Sequence, residues 1–256
     1  MKSNLVKILV SLAGVALIAL VALFLSLNSI VKHGVTAFGP EVIKAPIQLD
    51  GVSLSAFSGS GELRGLVVGN PAGFKTPHAV KLGTARLQVK PMSLLSDKVI
   101  VQSLKADGAE ITFEGSLSGS NLGKIQENVD AYVAALLGAA KDKPSAPGKK
   151  LQVDELIISN AKINLSLTLL GGKSTTIPLP DIKLTNLGQG AEGVTPAEVI
   201  KVVLKEVMTK TTGAVGGFLS SGGKALLDGA KSVGGAAADA TKGVTKGLGD
   251  MFKKKE

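Results

Sequence analysis

VIVQSLKADGAEITF, residues 99–113, comes back 52 residues further on as LQVDELIISNAKINL, residues 151–165. Val101 falls on Val153, Leu104 on Leu156, Ala109 on Ala161, Ile111 on Ile163 and Phe113 on Leu165. Short runs of β-branched and apolar residues alternating with polar ones have the period of a strand with one wet face. In each copy a polar pair suited to a turn, Asp107-Gly108 or Ser159-Asn160, holds the same place. Each copy therefore reads as one hairpin. Two amphipathic hairpins resemble each other through composition alone, so the correspondence implies shared architecture and no shared site.

The surrounding sequence extends the sheet. Residues 47–115 break into IQLDGVSLSAF, ELRGLVVGN, AVKLGTARLQVK and KVIVQSLKADGAEITFE, separated by Gly, Asn, Pro and Asp. Between Leu82 and Lys90, Leu87 and Val89 alternate with Arg86, Gln88 and Lys90. Asn70-Pro71-Ala72-Gly73 has the Pro and Gly positions of a type I turn. Later, Gly171-Gly172 reads as a turn into STTIPLPDIKLTNLG, and the sheet region closes near Gly190.

Two segments have helical spacing instead. Leu122, Ile125, Val129, Tyr132, Val133, Leu136, Leu137 and Ala140 follow a candidate cap at Asn121, predicting a helix over about 121–140 with one face buried. The polar linker KDKPSAPGKK then returns the chain to strands. Thr195-Pro196-Ala197-Glu198 is a capping box with Pro at the first helical position, and apolar residues from Val215 to Met251 recur at steps of three and four. The many glycines there, each costing up to about 1 kcal/mol relative to Ala, predict a helix ordered only when its stripe finds a surface. That surface is expected to be the membrane or the open sheet.

The N-terminus is different again. From Ile8 to Leu27 the chain reads ILVSLAGVALIALVALFLSL, with no charge between Lys7 and Lys32. Twenty helical residues cover about 30 Å, a bilayer's hydrocarbon thickness. A buried core helix would keep a polar stripe, which this run lacks. A cleaved secretory peptide has a shorter apolar region, about 7–15 residues, ahead of an A-x-A-like site. Phe24-Leu25-Ser26-Leu27-Asn28 is a poor one, so the run reads as a retained transmembrane anchor. Lys2 and Lys7 put the N-terminus in the cytoplasm and the body on the far side of the membrane.

Three parts follow: a transmembrane anchor over 1–34, a sheet domain over 35–190 with its helix, and a Gly/Ala-rich amphipathic helical tail over 191–256. The fold class is α+β, mainly antiparallel β.

Composition narrows the chemistry. The chain has no cysteine, so neither disulfides nor thiolate metal sites are available. A net charge of +9 suits nucleic acid or an anionic membrane surface, but aromatics are 3% and Tyr132 is the sole tyrosine, too few platforms for stacking bases. Membrane lipid is the favoured partner, and nucleic acid is not. His33 and His78 stand apart, with no neighbours that suggest a triad or metal set. Gly172-Lys173-Ser174 lacks the earlier glycine of a phosphate-binding loop, since Leu167 holds that place, and Ser58-Gly59-Ser60-Gly61 lacks a nucleophile-elbow frame. The expectation is a protein without catalytic residues, cofactor or metal.

One resemblance is carried by particular residues. Gly65-Leu66-x-x-Gly69-Asn70-Pro71-x-Gly73-Phe74, the Ser93-Leu94-Leu95 turn and Asn121-Leu122 opening the helix occur in an order that resembles the AsmA-like family of bacterial envelope proteins. LQVDELIISNAKINLSL and LPDIKLTNLG are similar too, and the likeness covers roughly residues 1–190. It implies a membrane-anchored periplasmic domain whose curved antiparallel sheet forms a trough with an apolar concave face, associated with envelope lipid homeostasis. The chain departs from the large family members in its length and its Gly/Ala-rich tail. No catalytic or ligand residues carry over, because the matched motifs are turns and core positions.

The two functions these readings allow are lipid binding and a structural or assembly role, the latter with envelope proteins as partners. For the first, the expected lipid-facing residues are Val67, Leu87, Val89, Val101 and Ile111.

Overall fold

The computed structural model describes residues 26–116, 119–142, 148–167, 174–218 and 220. Most of the expected anchor, the Gly171-Gly172 turn and the tail beyond 220 lie outside these residues. Among the described residues no helix is long and apolar enough to cross a membrane.

The first described element is helix α1, residues 26–43. Pro40 has no N–H to offer the preceding turn, and the helix widens into a π-helical turn at Gly34–Phe38 just ahead of it. It stops at Lys44, which takes a left-handed conformation (φ 55°) and donates its N–H to the Pro40 carbonyl at 2.9 Å. Strands β1 (Ile47–Leu54), β2 (Ser60–Val68), β3 (Val80–Val89), β4 (Lys98–Asp107), β5 (Glu110–Ser116) and β6 (Gly119–Ser120) come next. Helix α2 (Asn121–Asp142) leads to β7 (Lys150–Ser159), β8 (Lys162–Leu167), β9 (Ser174–Pro178), β10 (Ile182–Leu187) and helix α3 (Pro196–Phe218).

Among the described residues all ten strands join one open, mostly antiparallel sheet, and the fold is α+β. The repeated stretches are not hairpins. β4 and β5 do not pair with each other; both lie against β3 on one side, while β4 pairs with β7 and β5 with β8 on the other. Each repeat is thus one long strand with a bend in it, and the two bent strands run parallel. Val101 pairs with Val153, Leu104 with Leu156, Ile111 with Ile163 and Phe113 with Leu165, so the 52-residue offset is the pairing register itself. A parallel pair needs a long crossover, and β6 with α2 supplies it. β9 and β10 form a further bent strand antiparallel to β7 and β8. This parallel pair replaces the two hairpins expected of the repeats, within a sheet that is mainly antiparallel as expected.

The bends align across the sheet. Pairing lapses at Asp50 opposite Gly65, at Gly83, at Gly108 opposite Asn160 and around Pro180, which makes a transverse crease. Gly65 (φ 62°) has the Asp50 carboxylate where a Cβ would sit, and Gly108 (φ 67°) and Asn160 (φ 52°) are left-handed too. The loop between β2 and β3 also differs from expectation. Its bend falls at Ala72-Gly73 with Gly73 at φ 97°, a conformation that a type I turn does not use.

Both sheet helices form where their sequence predicts. Ser120, not Asn121, caps α2, its hydroxyl accepting the Gly123 N–H at 3.1 Å. α2 buries Leu122, Ile125, Val129 and Val133. In α3 the capping box closes as expected: Thr195 Oγ1 accepts the Glu198 N–H at 3.2 Å, and Glu198 Oε2 accepts the Thr195 N–H at 2.7 Å. α3 buries Ala197, Val207, Thr211 and Val215 and packs on α2, β9 and β10, so the surface found by the first part of the tail is the domain itself. The α1 helix runs along the outer edge of β1. Asn28 Oδ1 accepts the Leu54 N–H and Lys32 Nζ donates to the Asp50 carbonyl, both at 2.8 Å, which satisfies groups that an edge strand leaves open.

Candidate functional site

Register sorts the strand residues into two faces. On one, Ile47, Val68, Val80, Ile111, Ile163 and Ile177 lie opposite one another across the whole sheet. Beyond the crease the same face continues with Val52, Leu63, Ala85, Ala106, Ile158 and Ile182, then Leu54, Leu87, Leu104, Leu156 and Leu184 with Gly61 between the first two. A last row holds Val89, Val101, Val153 and Leu187. The other face is polar: Ser53, Glu62, Arg86, Lys105, Ile157 and Lys183 form one of its rows. Ion pairs there, Arg86 with Glu62 (3.8 Å) and Lys183 with Glu155 (2.9 Å), are solvent-exposed and contribute little.

The helices cover this apolar face unevenly. α2 and α3 meet mainly β5, β6, β9 and β10, and Ile111, Phe113, Ile163, Leu165 and Ile177 are buried beneath them. Towards the other end, Val52, Leu54, Leu87 and Val101 are half-buried and stand outside the core that the helices close. Of the expected lipid-facing residues, the structure brings Leu87, Val89 and Val101 together towards this end, Leu87 and Val101 half-buried and Val89 buried at 8% exposed. Ile111 lies in the helix-covered half, 2% exposed. Val67 falls in a row with Gln48, Lys81, Glu110 and Lys162, on the polar face. Its neighbours Leu66 and Val68 both reach the core, and alternation between them puts Val67 on the far side.

A feature that strand periodicity missed sits at the end of the thinly covered half. Phe57 in the β1–β2 turn is 92% exposed, and Met92 and Leu95 in the 3₁₀ turn Pro91–Leu95 are 72% and 56% exposed. The two loops are tied together: the Val89 N–H reaches the Gly59 carbonyl at 2.7 Å and Gln88 Nε2 the Ser58 carbonyl at 2.6 Å. Apolar residues at loop tips, SAFSG and PMSLLS, were the available signal.

The opposite end holds a buried polar knot. Glu114 accepts hydrogen bonds from the Lys75 and Thr76 N–H groups and from Thr76 Oγ1, at 2.6–2.9 Å. Burial opposes its charge, but the Thr76 and Lys75 donors together outweigh that and hold the carboxyl below its ordinary range. Asn121 accepts the Glu114 and Leu122 N–H groups and donates to Asn70 Oδ1 and the Thr112 carbonyl. Asn70 in turn donates to Thr76. Asn70 and Asn121, which looked like separate turn and cap residues, are one clamp fastening the 70–76 loop to β5 and α2. With every member partnered, the clamp is a structural device. Among the described residues no cluster of His, Asp or Glu is arranged to hold a metal ion. His33 is exposed and His78 half-buried.

Comparison with models of known protein families and with the curated proteins finds no match to this chain.

Proposed function

We propose that the chain is an AsmA-like, membrane-anchored protein of the bacterial envelope that binds lipid on the apolar face of its sheet. In this reading residues 8–27 span the inner membrane, the N-terminus is cytoplasmic, the sheet domain is periplasmic, and the role is non-catalytic. The apolar face serves as the inside of a shallow trough. The observation that carries the reading is that this face continues through four rows of strand residues while the helices meet mainly β5, β6, β9 and β10, leaving Val52, Leu54, Leu87 and Val101 half-buried outside the core they close. An apolar surface left half open needs an apolar partner, and acyl chains provide one without demanding directional contacts. The rival is a structural or assembly factor without lipid, favoured by the cover that α2 and α3 already provide.

Mass spectrometry of the full chain, isolated in a native lipid-polymer disc and then exchanged into detergent, tests the reading. Acyl lipid should stay with the protein at a stoichiometric level. Leu87→Asp should lose it and Lys105→Asp, one face away, should keep it, because an isolated carboxylate is costly among apolar groups. A lipid-free chain, or equal retention by both folded variants, supports the assembly factor.

A further inference from the structure

We propose that the end of the sheet formed by Phe57, Met92 and Leu95 is a membrane-contact surface, resting on the anionic bilayer that the anchor enters. The inference rests on the anchored reading above and adds which surface faces the lipid.

The direction of α1 carries it. Asn28 is bonded at Leu54, Lys32 at Asp50, and a Cβ at Gly39 would run into the Ile47 side chain, so α1 descends along β1 with its N-terminal end beside Leu54. Leu54 is the last residue of β1, immediately before the turn that holds Phe57. The apolar run 8–27 therefore joins the domain at the end where Phe57, Met92 and Leu95 are exposed. A hydrophobic segment that leaves the domain there brings that end to within a few residues of the lipid.

The chemistry of the end fits the same occupant. Three large apolar side chains stand on loop tips, each more than half exposed; Lys90 precedes the turn that carries Met92 and Leu95, Lys98 follows it, and Lys149 and Lys150 are hydrogen-bonded to residues 94–97, against the acidic Asp97. Lys149 donates to the Leu94 and Ser96 carbonyls, both at 2.7 Å, which fixes the loop that presents Met92 and Leu95. Apolar tips that enter the interface, with lysines at the headgroup level, are the pattern of a peripheral lipid contact. The surface also continues into the half-buried Leu54, Leu87 and Val101, so an acyl chain leaving the bilayer would meet the apolar face without crossing water.

The absence of cysteine makes the test direct. Phe57→Cys, Met92→Cys, Leu95→Cys and, at the opposite end, Ala72→Cys are each introduced into the full chain, labelled with an environment-sensitive fluorophore and reconstituted in phosphatidylethanolamine–phosphatidylglycerol vesicles. The first three probes should shift to the blue and be quenched by a nitroxide attached to lipid, while the Ala72 probe responds only to aqueous iodide. If the chain resists carbonate extraction yet probes 57, 92 and 95 respond only to iodide, the contact surface is wrong and the anchor stands. Shielding from both quenchers assigns the end to a protein neighbour or a second copy, and equally overturns the inference. A chain stripped from vesicles by carbonate overturns the anchor and the contact together.

Discussion

The two bent strands, residues 98–116 and 150–167, lie side by side with their paired residues 52 positions apart, yet they solve the same geometry with different chemistry. At the crease the first uses Gly108, which reaches φ 67° with no Cβ to strain. The second uses Asn160 at φ 52° and secures it with side-chain bonds: Asn160 Nδ2 to Asp107 Oδ1 at 2.7 Å and the Asn160 N–H to Asp181 Oδ1 at 3.3 Å. Past the crease, Ile111 matches Ile163 and Phe113 matches Leu165, all buried, because these four side chains belong to one core cluster. One position further, Glu114 holds the loop clamp where the partner strand has only Ser166. A repeated strand keeps its apolar rows, which packing dictates, and its polar positions diverge with whatever each copy must fasten.

The largest test of that equivalence lies in the core. Phe113→Ala should cost about 3–5 kcal/mol and Leu165→Ala about 2–5 kcal/mol, read as a drop in the denaturant midpoint with unchanged slope. A copy that tolerates its truncation well below this range would mean that the two strands do not share one core.

The Glu114 clamp should break the symmetry. Glu114→Gln leaves donors from Lys75 and Thr76 poorly matched and should cost about 1–3 kcal/mol, whereas Ser166→Ala should stay within about 0.5 kcal/mol. Because folding depresses the Glu114 pKa, its contribution is present above the ordinary carboxylate range and is lost as pH falls through that range to the lower folded value. Thermal melts across acid pH should therefore separate the wild type from Glu114→Gln at neutrality and bring them together in acid. Parallel curves would assign the clamp to shape and not to charge.

The crease offers the smallest and sharpest comparison. A Cβ at Gly108 meets nothing within 4 Å, so Gly108→Ala is a conformational cost alone, about 1–2 kcal/mol. Gly108→Asn should cost less, since asparagine already holds this conformation in the neighbouring strand. The reverse change, Asn160→Gly, should cost about 0.5–1.5 kcal/mol through the lost bond to Asp107. Equal melting temperatures for Gly108→Ala and Gly108→Asn would show that the left-handed site is indifferent to side chain.

By itself the sequence determined the existence of both helices, the capping box, the alternating strands and the equivalence of the two repeats at an offset of 52 residues. Each of these is a periodic or local signal: apolar spacing selects the face that leaves water, and a cap needs only its own turn. What the local pattern left undecided was whether Asp107-Gly108 and Ser159-Asn160 reverse the chain or bend it. A hairpin turn and a bulged crease both ask for Gly or Asn at positive φ, so the residues are the same in either case. Tertiary packing made the choice, by giving β3 a partner on both sides of the crease and setting the repeats parallel across α2. The same packing put Val67 on the polar face, joined Asn70 directly to Asn121 beside Glu114, and left Leu87 and Val101 half-buried outside the helix-covered core, because helix coverage depends on partners distant in the chain.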